Sequence, residues 1–206
     1  MSVTIVVQRR VRPGQDTARV AAALRRVEEH GMPRQGRRPG RLFRRLDDAQ
    51  VLWYVGHWDS REAYAARPLA ASAGALDALC VGEAARYYFA QVWLSWNLSL
   101  HTIMWDGTLV QAPSGVGPAV RPVLQQEAGE KLKTGSGLVE CYLYHDLDQA
   151  EQYLILRGWA SPAAWQRFER ECRPALDASL RSLGALATPI VELTLLEYDQ
   201  LLLAGP

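Results

Sequence analysis

The chain alternates between two rhythms of apolar residues. Residues 3–11, VTIVVQRRV, are dense in β-branched side chains and break at Arg12, Pro13 and Gly14, which predicts a strand ending in a turn. The period then changes: Val20, Ala23, Leu24 and Val27 recur at helical spacing, with Asp16 at the N-cap position and Gly31 where a C-terminal cap belongs. GRLFRRL and VLWYVGHW flank the polar DDAQ at 47–50, a length and composition that predict a hairpin. Ser60 opens a second helix carrying Tyr64, Leu69, Leu76 and Leu79 before Gly82, and RYYFAQVWLSW at 86–96 reads as a closing strand. The order is βαββαβ.

That order then begins again. LHTIMW at 100–105 predicts a strand, and GTLVQAPSGVGPAVRP a looser connection punctuated by Gly and Pro. Val120, Val123, Leu124, Ala128 and Leu132 share one helix face, GLVECYLYHDLDQAEQYLILRGW gives a second hairpin, and Ser161 with Pro162 forms an N-cap and first-turn pair. Trp165, Phe168, Cys172 and Leu176 supply the last helix's stripe, and TPIVELTLLEY at 188–198 the last strand. The halves echo each other most clearly in GHWDSREAY and RGWASPAAW, whose Trp58 and Trp159 lie 101 residues apart. In each copy a strand ends on Trp, which buries a large area under the helix that starts at the following Ser. Two repeats are expected, 1–98 and 99–206, packed together without a long linker.

Composition adds mainly exclusions. The 206 residues are 49% apolar and 22% charged with a formal charge of +1, an ordinary globular balance that draws the chain to neither nucleic acid nor an anionic membrane. The run RQGRRPGRLFRR at 34–45 is local and reads as a solvated loop entering a strand, or as a phosphate- or carboxylate-binding patch. Cys80, Cys141 and Cys172 are odd in number and widely spaced, which fits neither a disulfide framework nor a zinc site and suggests a reduced, cytoplasmic setting. No apolar run approaches the roughly 20 residues of a membrane span, and no signal peptide is expected.

The strand LWYVGHW followed by DSREAY, with a PG turn and RRLDD before it, resembles the antibiotic biosynthesis monooxygenase superfamily. The resemblance covers residues 3–95 and, more loosely, 100–199. It implies an α+β fold of two ferredoxin-like βαββαβ repeats packed sheet to sheet as an intramolecular dimeric α/β barrel. A sheet covered by helices on one side keeps a bare face, and a second sheet can bury it; fusion in one chain frees that association from protein concentration. The implied activity is that of a cofactor-independent monooxygenase-like protein acting on an aromatic or polyketide-like small molecule, with O₂ reacting at a substrate carbanion and no cofactor. The alternative is a non-catalytic small-molecule-binding or scaffold barrel. The haem-degrading branch uses an Asn on the first strand and Trp and His on the second helix; residues 3–12 hold no Asn, and the helix after Ser60 neither of the others. The expected partner is a small apolar or aromatic molecule, with no nucleic acid and no membrane, and the chain a monomeric pseudo-dimer or a homodimer.

Strand alternation then assigns faces, the more apolar set packing under the helices. Val139, Cys141, Leu143, Leu154, Leu156, Val191, Leu193 and Leu195 are expected toward the helices. Glu140, Tyr142, Arg157, Glu192 and Thr194 are left toward the opposite sheet. There Arg157 either bridges Glu140 or Glu192 as a buried ion pair, or forms with them a small polar cavity that orients a ligand carboxylate. A shift of 101 residues sets Arg157 against Gly56 and Gly158 against His57, so the halves are not equivalent. His57 is expected on the helix side beside Trp53 and Val55, as a candidate base or a hydrogen-bonded core histidine. Trp53, Tyr54, Tyr87, Gln91 and Trp93 offer aromatic surface and one amide to a flat ligand, or simply pack. No metal cluster is expected, and GxGxxG, GxxxxGK and GxSxG motifs are missing.

Overall fold

The computed structural model describes residues 2–30, 40–68, 71, 73–97, 99–126, 129 and 135–193. They fall into two compact units, one holding the chain to Tyr88 together with Val191–Leu193, the other Phe89–Ile190. The division cuts two strands, β4 (Cys80–Trp96) and β8 (Leu186–Glu192), each of which contributes residues to both units.

In the first unit β1 (Val3–Val11), α1 (Thr17–Glu28), β2 (Arg41–Arg45), β3 (Val51–Trp58), α2 (Arg61–Ala65) and α3 (Ala73–Leu79) lead into β4. The central β3 pairs antiparallel with β1, from Val3↔Trp58 to Arg10↔Val51, and with β2. Asp16 caps α1 by accepting a hydrogen bond from the Ala18 amide at 2.9 Å, and Ser60 caps α2 through the Ala63 amide at 3.1 Å. The second helix does not run on to Leu79. Pro68 lacks an amide hydrogen and disfavours helix in Arg67 before it, so α2 ends at Ala65 and α3 begins at Ala73. Gly31 and Leu69 lie outside the described residues.

Between sheet and helices Ile5, Val7, Val20, Leu24, Leu52, Tyr54, Trp58 and Tyr64 form one apolar cluster. Each such side chain, fully buried, contributes roughly 1.5–3 kcal/mol. A polar clamp closes its edge: the buried Glu28 carboxylate accepts from the Tyr64 hydroxyl and from Arg67 Nη2, both at 2.8 Å, tying the end of α1 to α2. Burial first, and then the Glu28 charge, push the Tyr64 phenol up to about 12.

In the second unit β5 (Met104–Gln111), α4 (Gly117–Gln125), β6 (Leu138–Asp146), β7 (Gln152–Trp159), α5 (Pro162–Glu171) and α6 (Arg173–Ser182) lie between β4 and β8. Here β7 is central, pairing antiparallel with β5 and β6, and β6 pairs in turn with the Phe89–Trp96 part of β4. Ser161 caps α5 through the Ala164 amide at 3.2 Å. The expected strand at 100–105 begins later and continues through Asp106 and Gly107, a pair that reads as a turn. Glycine is needed there because a β-carbon at 107 would come within 2.8 Å of Leu156 Cδ2 and 3.0 Å of the Ile155 carbonyl oxygen. Strand β8 runs from Leu186 to Glu192, and residues 194–198 of the expected last strand lie outside the described residues. The same holds for Ala128 and Leu132 of the predicted helix face. None of the described helices is long and apolar enough to cross a membrane.

The β6–β7 turn is organised by Asp146, whose Oδ1 accepts from the Asp148 and Gln149 amides at 2.8 and 3.0 Å while its buried Oδ2 has no partner among the described residues. Desolvation dominates, so the folded pKa is raised. An acid raised on folding favours the native state when protonated, so its contribution is present below the ordinary carboxylate pKa and lost as pH rises through the folded value. Asp146→Asn keeps the accepting oxygen and removes the charge. The variant is expected to melt higher than the parent at neutral pH and to narrow that gap under acid, as followed by circular dichroism.

Candidate functional site

The two units fill the layer between sheet and helices differently. The β5–β7 register pairs Asp106 with Arg157 and Thr108 with Ile155, and β6–β7 pairs Cys141 with Arg157. All of these side chains therefore share one face of the sheet. That face looks at the helices, because the Arg157 guanidinium lies 4.5 Å from the centre of the Phe168 ring on α5. The arginine thus stands on the side opposite to the one expected. The polarity rule fails on β7 because all eight of its residues are buried, so neither alternating set marks solvent.

Arg157 contacts neither Glu140 nor Glu192. Its Nε donates to Asp106 Oδ1 at 3.0 Å and its Nη2 to Asp106 Oδ2 at 2.5 Å and to Thr108 Oγ1 at 2.9 Å. Asp106 Oδ1 also accepts from Trp159 Nε1 at 2.6 Å. From α6, Arg173 donates to Asp106 Oδ2 at 3.2 Å, to Thr108 at 2.6 Å and to Glu169 at 2.8 Å. Asp106, Thr108 and Arg157 are completely buried. Burial, the largest single effect, would lower the Arg157 pKa, but the Asp106 charge and the hydrogen bonds to it together outweigh it and hold the guanidinium above the ordinary arginine value.

The equivalent layer of the first unit is apolar. The 101-residue shift sets Asp106, Thr108 and Arg157 against Ile5, Val7 and Gly56. The space that an arginine would take is filled by Tyr54, whose ring lies so close over Gly56 that a β-carbon there would sit 2.7 Å from Cε1. The Tyr54 hydroxyl is buried without a partner among the described residues, and desolvation raises its pKa. Trp58, equivalent to Trp159, likewise has a buried Nε1 with no acceptor among the described residues.

The other candidates separate. His57 is exposed and on the face away from the helices, its Nδ1 2.9 Å from the Thr4 hydroxyl. The helix-facing set of β3 is Leu52, Tyr54, Gly56 and Trp58; Trp53, Val55 and His57 are on the opposite side, a reversal with the same cause as on β7, since nearly all of β3 is buried. Trp53 stacks on Tyr87 with ring centres 6.3 Å apart, and the Tyr87 hydroxyl donates to Gln8 at 3.3 Å. Gln91 is exposed. Trp93 packs so tightly on Gly129 that no side chain would fit at that position. Glu192 pairs with Arg41 at 2.7 Å. Glu140 accepts from Thr102 at 2.6 Å and from Tyr142 at 2.7 Å, on the face away from the helices, where Trp105, Tyr142 and Tyr144 form a run of neighbouring rings. Thr194 and Leu195 lie outside the described residues. Among the described residues no group of three His, Cys, Asp or Glu side chains is placed to hold a metal ion.

Three members of the buried network were not singled out from sequence: Asp106, Thr108 and Arg173. Asp106 and Thr108 had a readable signal, because the same 101-residue shift carried from β3 to β1 puts an acid where Ile5 stands, directly across from the arginine that replaces Gly56. Arg173, beside Pro174 at a helix junction, had none.

No family model and no curated protein matches the chain. Solved structures do. A provisionally named monooxygenase from Fusobacterium nucleatum superposes with a TM-score of 0.64 at 9% identity, over 94% of this chain and 93% of its own. An anthrone oxidase-like protein gives 0.67 at 9% identity over 93% and 91%. An uncharacterised ferredoxin-fold protein related to antibiotic biosynthesis monooxygenases, from Listeria monocytogenes, gives 0.52 at 10% over 94% and 96%. At such identities the likeness is one of fold, and it shows that the chain is an α+β protein of the ferredoxin-like fold that these structures share.

Proposed function

We propose that the protein is a cofactor-independent monooxygenase-like enzyme that acts on an aromatic small molecule in the sheet–helix layer of the second unit. The observation that carries this reading is the asymmetry of the two layers: one is an apolar core filled by Tyr54, the other holds two arginines and an aspartate under Phe168 and Trp159. The anthrone oxidase-like and monooxygenase names carried by proteins of the same fold support it. In the proposed reaction the anion of an activated ring CH₂ adds O₂, and the hydroperoxide loses water to leave C=O. One O₂ is consumed per product; one of its oxygens enters the ring and the other leaves as water.

The protein's part is to hold the substrate anion and exclude solvent. Both oxygens of Asp106, the fully buried carboxylate of this layer, are occupied by donors. That fits a substrate that arrives ionised, and it equally supports a second reading, a barrel that binds such a molecule without turning it over. Oxygen uptake with a panel of anthrones, phenols and quinols decides between them. Uptake in a one-to-one ratio with product is expected, and it should be unchanged in His57→Ala because His57 is exposed and faces away from the helices. A protein that binds but consumes no O₂ with any member sinks the enzyme reading.

A further inference from the structure

We infer that the ligand of this layer is recognised as an anion, its charged oxygen seated against Arg157 Nη1 with the Thr108 hydroxyl hydrogen as a second donor beside the same guanidinium. The inference rests on the proposed site and specifies what that site accepts. A guanidinium carries five N–H donors, one on Nε and two on each Nη. Nε and Nη2 of Arg157 are spent on Asp106 and Thr108, whereas Nη1 is buried with no partner among the described residues. Leaving a buried charged donor unpaired is costly.

Thr108 has a matching surplus. Its oxygen accepts from Arg157 Nη2 at 2.9 Å and from Arg173 Nη1 at 2.6 Å. Guanidinium groups cannot accept, so both lone pairs are occupied and the hydroxyl hydrogen is left to donate. Among the described residues no acceptor meets it. Asp106, the one fully buried carboxylate of the network, is filled on both oxygens, and Glu169 holds Arg173 from a position 24% exposed. The unsatisfied groups are therefore all donors. An amine or ammonium has nothing to bind, a neutral carbonyl satisfies them weakly, and an oxyanion makes hydrogen bonds roughly twice as strong.

The test uses isosteric pairs on the full chain: acetate with acetamide, benzoate with benzamide, and 2-naphthoate with 2-naphthamide, titrated calorimetrically where the acids are ionised. In the size that fits best, the carboxylate is expected to bind about ten-fold tighter than its amide, equivalent to ~1.4 kcal/mol. Arg157→Lys should abolish the preference, because a single ammonium is claimed by Asp106. Thr108→Val, which leaves the Asp106–Arg157 pair in place, should reduce it and keeps the question decidable if the first variant does not fold. Equal binding of acid and amide in every pair, binding of neither, or a preference untouched by both variants overturns the inference; a water molecule on Nη1 would give the first result. Oxygen uptake without anion preference refutes this inference and leaves the oxygenase reading standing, and anion preference without uptake does the reverse.

Discussion

Asp106→Ala is expected to cost about 3–5 kcal/mol of folding stability, because it strands the fully buried Arg157 charge. Arg157 would keep only Thr108 as a polar partner, and the Trp159 indole N–H would lose its acceptor. Arg173 suffers less, since Glu169 still holds it at 2.8 Å. Urea denaturation of parent and variant, with the dependence on denaturant checked for constancy, measures the loss. A difference below about 1 kcal/mol would mean that water or a rearranged carboxylate takes over, and that the network is looser than its geometry indicates. Removing both ends is a different experiment. Asp106→Leu combined with Arg157→Met replaces a paired charge by apolar volume, which is often near neutral, and the first unit shows that these sheet positions can be built without charge: Ile5 and Gly56 stand at the equivalent positions, with Tyr54 filling the gap. The double variant should recover much of the stability lost by Asp106→Ala while losing the anion site. Stability and recognition would then be separated in one series.

The caps and the hairpins were legible in the sequence because each has a local cause. Asp16, Ser60 and Ser161 accept first-turn amide hydrogens as short polar residues at helix starts do, and both hairpins follow from alternation ended by polar turns. Faces were not legible on the central strands. Alternation separates inside from outside only where one side meets water, and β3 and β7 are buried on both. Hence Arg157 and His57 were each set on the wrong side, whereas Glu140 and Tyr142, on the half-exposed β6, were set correctly. The candidate site was legible in one residue, Arg157, and not in its partners. An Asp-Gly pair imitates a turn, and only the close approach of Leu156 and Ile155 explains why a glycine belongs inside that strand. Pro68 gave a usable signal for the helix break, but it competed with a long apolar pattern that ran across it.

The repeated Trp offers the sharpest comparison of the two halves. Trp58 and Trp159 end equivalent strands and are both almost fully buried, yet their indole N–H groups differ: Trp159 Nε1 donates to Asp106 at 2.6 Å, and Trp58 Nε1 has no acceptor. Replacement of either by Phe removes similar apolar area, so that part of the cost is shared. Trp159→Phe also removes a hydrogen bond to a charged group, worth about 1.5–3 kcal/mol. Trp58→Phe instead deletes an unsatisfied buried donor, which offsets part of its packing loss. Trp159→Phe is therefore expected to be the more destabilising by about 1.5–3 kcal/mol under the same denaturant titration. Equal losses would show that the Trp159–Asp106 bond contributes nothing net and that the tryptophan serves both repeats by packing alone. A double-mutant cycle of Trp159→Phe with Asp106→Asn isolates the pair, since two residues in one hydrogen-bond network couple by about 0.5–3 kcal/mol whereas Trp58→Phe, whose indole has no such acceptor, should add to Asp106→Asn without coupling. The Trp corner would then be a packing element common to both units, and Asp106 the residue that makes the layer of the second a polar one.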